Sequence, residues 1–155
     1  MASNTFLMWQ RFQTLLLLVC AGLLLSLFWS EMCYTIAPGN AGEMERYTIR
    51  FFEHSQFMVF SFVTFILTVI TIAYFKLRLM QIRLCILNII LLVAYQIWIA
   101  VEYFKLKSIY IFKPAALFPI VSAILLAIAI RYIFRDEAMV IAHGMIQKGK
   151  KNGKS

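Results

Sequence analysis

Four long apolar runs, Phe12–Trp29, Phe57–Phe75, Leu84–Val101 and Ala115–Ile133, decide what this chain can be. No acidic or basic residue interrupts them before Arg131, near the end of the last. A charge at the centre of a bilayer helix costs roughly 2.5–3.5 kcal/mol on insertion scales, so such runs are the mark of hydrocarbon as solvent. A spanning helix needs about 20 apolar residues, and four of them take about half of this chain, which leaves no room for a separate soluble head. The composition agrees: 63% of the residues are hydrophobic and 14% charged, against roughly 45–50% and about 25% in soluble domains. The first run follows Arg11, as a secretory signal would. No small-residue cleavage site follows it, and Val19 stands before Cys20 where a lipoprotein signal wants a small residue, so it reads as a retained span.

Charge sets the direction. With the N-terminus inside, the inner side holds ten basic residues: Arg11, Lys76, Arg78, Arg83, Arg131, Arg135, Lys148, Lys150, Lys151 and Lys154. The outer side holds five, Arg46, Arg50, Lys105, Lys107 and Lys113, offset by Glu31, Glu43, Glu45, Glu53 and Glu102. The net charge of +8 is therefore one-sided and predicts both termini cytoplasmic by the positive-inside rule, rather than an affinity for nucleic acid. Trp9, Trp29, Tyr34, Tyr47, Tyr103 and Tyr110 fit interfacial aromatic belts. The expected fold is all-α: an integral-membrane, antiparallel four-helix transmembrane bundle with a cytoplasmic helical extension. It forms one domain over residues 1–140, with spans at about 12–30, 56–75, 82–102 and 115–134, and a basic disordered tail over 141–155. The outer connection around Pro38-Gly39-Asn40 and Gly42 is a turn cluster; Tyr47 to Phe52 after it suits either a short strand or an outward extension of the second helix.

Two polar stripes break the apolar spans. Ser61, Thr64, Thr68 and Thr71 recur at three, four and three residues, which puts four hydroxyls on one helical face. Gln81, Asn88, Tyr95 and Glu102 recur every seven, with Cys85 and Gln96 beside them. Hydrogen bonds and small residues mark helix contacts in a bilayer, so these stripes are expected to be helix-contact faces. Gly22 with Ser26, and Ala116, Ala123 and Ala127, offer close approach on the first and fourth spans. At the inner surface Arg11, Arg78, Arg83, Asp136 and Glu137 must meet, and the expected arrangement is an ion-pair network that locks the end of the fourth helix, over a background of attraction to anionic headgroups.

The chemistry of enzymes is missing from the pattern. Cys20, Cys33 and Cys85 include no C-x-x-C, and no His sits at membrane depth for a haem. His54 and His143 fall on opposite sides of the membrane, and no Ser-His-Asp set or phosphate-binding glycine loop occurs. Glu43, Glu45, Glu53 and His54 resemble a cation site, but Arg46 and Arg50 beside them make a solvated face the better reading. No catalytic residue, metal or cofactor is expected. An enzyme acting on lipid would need Glu102, His54 and the outer loop to converge.

Three stretches together carry a resemblance: Trp9-Gln10-Arg11-Phe12-Gln13-Thr14, Lys76-Leu77-Arg78-Leu79-Met80-Gln81-Ile82-Arg83-Leu84 and Arg135-Asp136-Glu137-Ala138-Met139-Val140. In order and spacing the chain resembles a domain-of-unknown-function family of small four-span inner-membrane proteins of the Bacteroidota. It departs from that family where Ile141-Ala142-His143-Gly144-Met145 replaces a further charged run. The resemblance implies a bacterial cytoplasmic membrane and no known activity. The expected function is a non-enzymatic accessory subunit or assembly factor, whose partners are the bilayer, anionic headgroups on the cytoplasmic side and other membrane subunits. The alternative is a small oligomeric transporter or channel that uses the two stripes.

Overall fold

The computed structural model describes residues 2–153. Helix α1 (Ala2–Leu27) leads into strands β1 (Glu31–Pro38) and β2 (Met44–Arg50), followed by α2 (Ser55–Ala73) and α3 (Arg78–Leu106). A two-residue strand β3 (Ile111–Phe112) and a 3-10 turn (Pro114–Leu117) precede α4 (Phe118–Asn152). The side chains of Trp9 and Gln10, and all of Lys154, lie outside the described residues.

Each helix packs on two others, α1 on α2 and α4, and α3 on α2 and α4, so the four close into a ring. The α1–α4 and α2–α3 pairs run antiparallel: Phe12 of α1 meets Tyr132 of α4 and Cys20 meets Ser122, while on α2 and α3 Ser61 meets Tyr95 and Thr68 meets Asn88. The buried rows explain the packing. Leu17, Cys20, Leu24 and Leu27 on α1, Cys85, Asn88, Leu92, Tyr95 and Ile99 on α3, and Ser122, Leu126, Ala129, Ile133 and Asp136 on α4 all advance by alternating threes and fours. That spacing keeps one face on the neighbours when helices lie about 20° from parallel.

The molecule is apolar on the outside. On α2 the exposed face carries Val59, Phe62, Val63, Ile66, Val69 and Ile70, while the buried face carries Ser61, Thr64, Thr68 and Thr71. In water this arrangement would hide hydroxyls and wet an apolar belt; in hydrocarbon it is the favourable one. Three helical segments, Ser55–Ala73, Arg78–Leu106 and Pro114–Asn152, are long and apolar enough to cross a membrane, and the apolar part of α1, Arg11–Leu27, is shorter.

The all-α expectation needs correcting, because the outer connection folds into a three-stranded antiparallel sheet of order β2-β1-β3. Tyr34, Thr35 and Ile36 face Thr48, Tyr47 and Arg46 across the hairpin, and residues that are β-branched or aromatic favour such pairing. The turn works because Gly42 takes a φ of 78°, a conformation open to glycine without steric penalty. The register shifts between Glu31 and Cys33, and there the Met32 carbonyl accepts from the Lys113 amide at 2.9 Å. The sheet seats Met32, Cys33 and, just after β2, Phe51 on one end of the bundle, continuous with Leu24, Leu27 and Phe57 in one core.

The far end differs from expectation too. Where the sequence reads residues 141–155 as a disordered tail, α4 continues to Asn152, exposed from Ala138 onward. Gly144 and Gly149 each cost a helix about 1 kcal/mol relative to Ala. Lys150 and Lys151 in the last turn offset part of that by matching the negative end of the helix dipole. At 1.5 Å per residue this helix is about 52 Å long, far more than the roughly 30 Å hydrocarbon thickness, so its end projects beyond the bundle.

Candidate functional site

The two polar stripes face one another along the α2–α3 contact. The Ser61 and Tyr95 hydroxyls are 2.8 Å apart, Asn88 Nδ2 donates to Thr68 Oγ1 at 2.7 Å, and Gln81 Nε2 donates to the Thr71 carbonyl at 3.3 Å. Thr68 in turn donates to the Thr64 carbonyl at 2.8 Å, so its hydroxyl relays between a side chain and the helix backbone. Thr64 and Thr71 bond back to the carbonyls of Phe60 and Leu67 at 2.7 Å each. All of these stripe side chains from Ser61 to Tyr95 are buried. Phe60 stacks on the Tyr95 ring at 5.6 Å and Phe57 lies 5.9 Å from it, closing the outer end of the seam.

Glu102 is not brought into this seam. It stands one turn beyond Ile99, partly exposed, and pairs with Lys105 at 3.1 Å on its own helix. His54 packs edge-on against Phe57 at 5.8 Å. Among the described residues no group of three or more His, Cys, Asp and Glu stands where it could hold a metal ion. In the outer loop Glu45 accepts from the Tyr47 hydroxyl at 2.9 Å, and Glu53 accepts from the Arg50 amide at 3.2 Å.

Helices α1 and α4 bring further polar groups to the interior. Cys20 Sγ reaches the Ser122 carbonyl at 3.8 Å, and Ser122 is fully buried. Ser122 Oγ, Asn88 Oδ1 and Gln13 Nε2 have no hydrogen-bond partner, and a buried group left so costs about 1–3 kcal/mol. The four-three spacing through Ala129 and Ile133 is the signal that marks Ser122 and Asp136 as buried, and the small-residue reading of α4 passes over it. Of the small residues singled out there, Ala116 and Ala123 are buried while Ala127 is exposed; on α1, Gly22 is exposed, with nothing within 4 Å of a Cβ built on it.

At the end of the bundle away from the sheet, Asp136 is buried and its Oδ2 lies 3.5 Å from Arg78 Nη2. Arg83 and Glu137 line one cleft with Lys76 and Arg78. Arg11 is exposed on α1, one residue before the Phe12 ring that meets Tyr132 edge-on at 5.2 Å. The sheet end holds its charge differently. Glu31 accepts from Lys113 and, at 2.9 Å, from Arg46. The Lys113 hydrogen bond, with the charges of Lys113, Arg46 and Arg50, holds the Glu31 carboxyl below the usual carboxylate range. Cys33, enclosed under the sheet, has its thiol pushed up to about 11 by burial and is unpaired, which makes it a poor nucleophile.

An apolar-surfaced helix ring with its polar groups turned inward is the construction of a helical membrane protein. Within that class the chain belongs to the family described as domain of unknown function (DUF4293), which matches it over residues 9–143. No curated protein and no solved structure matches it.

Proposed function

We propose that the chain is a four-span protein of the bacterial inner membrane, with both termini cytoplasmic, and that it serves as a non-enzymatic accessory subunit or assembly factor of a larger membrane complex. The observation that carries this reading is the closure of the α2–α3 seam: the Ser61 hydroxyl pairs with Tyr95, the Thr68 hydroxyl accepts from Asn88 and the Thr71 backbone carbonyl accepts from Gln81, all at residues at most 4% exposed. A transporter built on these stripes needs them to line water. Closed as they are, they position helices, and the apolar outer faces are what remains for lipid or another subunit. The α1 apolar segment is short, but α1 packs along both α2 and α4, which supports counting it as the fourth span. The ten-to-five split of basic residues supports the orientation, and the same inner surface favours anionic headgroups.

Purification from the native membrane in mild detergent tests the subunit reading. The expected outcome is a complex of fixed stoichiometry with another membrane protein, and reconstituted vesicles that show no added solute or ion flux. A monodisperse chain that emerges alone and conducts would replace it with the transporter.

A further inference from the structure

The cleft at the inner end carries an electrostatic conflict. It has a volume of about 690 Å³ and is built where the α2–α3 connection meets the extension of α4. Lys76, Arg78 and Arg83 line it, against the single carboxylate of Glu137. These cations surround the N-terminus of α3, where Leu77 supplies no side-chain cap and the first turn holds no acidic residue. A helix start is the positive end of the macrodipole and is ordinarily matched by acids or capping oxygens, so three cations there repel it as well as one another. Asp136 pairs with Arg78 at 3.5 Å but does not line the cleft, which leaves Glu137 as the carboxylate facing Lys76 and Arg83 there. The rest of the wall is apolar, Leu79 and Met80 from α3 and Val140 and Ile141 from α4.

We propose that this cleft seats the phosphate of an anionic membrane phospholipid. The phosphate sits among Lys76, Arg78 and Arg83 at the head of α3, and the glycerol and first acyl carbons run along Leu79, Met80, Val140 and Ile141. The uncapped helix start, the cations and a bound phosphate are complementary. The apolar wall selects lipid over a free phosphate ester. The position suits lipid as well, because the apolar run of α3 begins at Leu84, immediately after Arg83, which puts the cations at the boundary where long basic side chains reach headgroups. The inference rests on the membrane reading above and adds a defined site to its general headgroup attraction.

The test is native mass spectrometry of the delipidated full chain in detergent, titrated with phosphatidylglycerol and, separately, with phosphatidylcholine. The wild type is expected to retain phosphatidylglycerol preferentially. Lys76→Gln with Arg83→Gln should weaken that binding roughly ten- to thirty-fold, about fivefold for each cation removed. Lys148→Gln with Lys150→Gln removes the same charge from the exposed end of α4 and should leave binding within twofold. Glycerol 1-phosphate at equal concentration should not displace the lipid. Equal loss in the two double variants would reduce the seat to diffuse attraction, and equal retention of the two lipids would remove it. Displacement by glycerol 1-phosphate would assign the cleft to free phosphate esters instead. Arg83→Gln alone, expected to lose about fivefold, serves if the double variant does not fold. A chain soluble without detergent would sink the membrane reading, whereas one that needs detergent yet shows no lipid preference sinks only the seat.

Discussion

The α2–α3 contact and the α1–α4 contact use one spacing and opposite chemistry. On α2 the buried row is Phe57, Ser61, Thr64, Thr68 and Thr71; on α1 it is Leu17, Cys20, Leu24 and Leu27, set beside the Ser122, Leu126, Ala129 and Ile133 row of α4, where Ser122 is the one hydroxyl against four on α2. Lipid tails are as apolar as leucine, so burying leucine among leucines in a membrane gains packing but little register. A row of hydroxyls opposite an amide and a phenol has one alignment that satisfies it. The apolar pair of helices supplies close-packed contact, and the polar pair fixes how far one helix slides along its neighbour.

The difference predicts unequal losses. Leu126→Ala, at a fully buried position, should cost the most, about 2–4 kcal/mol, because the cavity it leaves is only partly refilled. Reversible unfolding in mixed micelles measures it, and a loss below that of the polar variants would invert the comparison. Next comes Asp136→Ala, which strips Arg78 of its carboxylate. Removing one member of a buried pair costs about 3–5 kcal/mol, but the Arg78 side chain is 23% exposed, so solvent screening brings the expectation down to about 1–3 kcal/mol. An unchanged melting temperature would show that the pair does not hold the end of α4.

Smaller still is the polar seam. A double-mutant cycle on Thr68→Val and Asn88→Leu should return a coupling of about 0.6 kcal/mol, and not above about 2, as for other hydrogen bonds between membrane helices. Zero coupling would mean that the 2.7 Å contact sets no register. The smallest effect is expected at the outer sheet and depends on pH. The lowered Glu31 pKa means that its contribution is whole at neutral pH and is lost as pH falls below the ordinary carboxylate value of about 4.3 toward the folded-state value. Protection factors at Thr35 and Ala37, corrected for the intrinsic pH dependence of amide exchange, should fall across that interval and stay flat in Glu31→Gln.

The apolar runs express α2, α3 and the start of α4 in the sequence to within a few residues, because a bilayer leaves helix as the way for such a run to satisfy its backbone, while the end of α4 lies well beyond its run. The sheet is harder to see. Glu31–Pro38 alternates too weakly to announce a strand, and its partner Met44–Arg50 reads equally as a helix extension until a turn at Gly42 brings the two together. The periodicity of Ser61 to Thr71 is plain in one dimension, but the identity of the opposite helix is a matter of tertiary packing. At the inner end, composition groups Asp136 with Glu137, whereas the helical phase separates them: Asp136 continues the buried row after Ala129 and Ile133, and Glu137 turns to the cleft. The Phe134, Ala138, Ile141 and Met145 spacing carries the fourth helix past its apolar run, but the helical state further on to Asn152 is obscured by glycines and lysines, which suit either a tail or the end of a long helix.

The polar stripes close on each other rather than on water, and labelling reads this directly. In a background with Cys20, Cys33 and Cys85 replaced by alanine, Thr68→Cys is exposed in intact membranes to a small, charged, membrane-impermeant thiol reagent, with Lys107→Cys, exposed at the outer end, as the accessible reference. Rapid labelling is expected at 107 and none at 68 until the membrane is dissolved and the protein unfolded. Labelling at 68 in the intact membrane, at a rate near that of the reference, would mean that a hydrated path reaches the middle of the bundle and would contradict the closed seam.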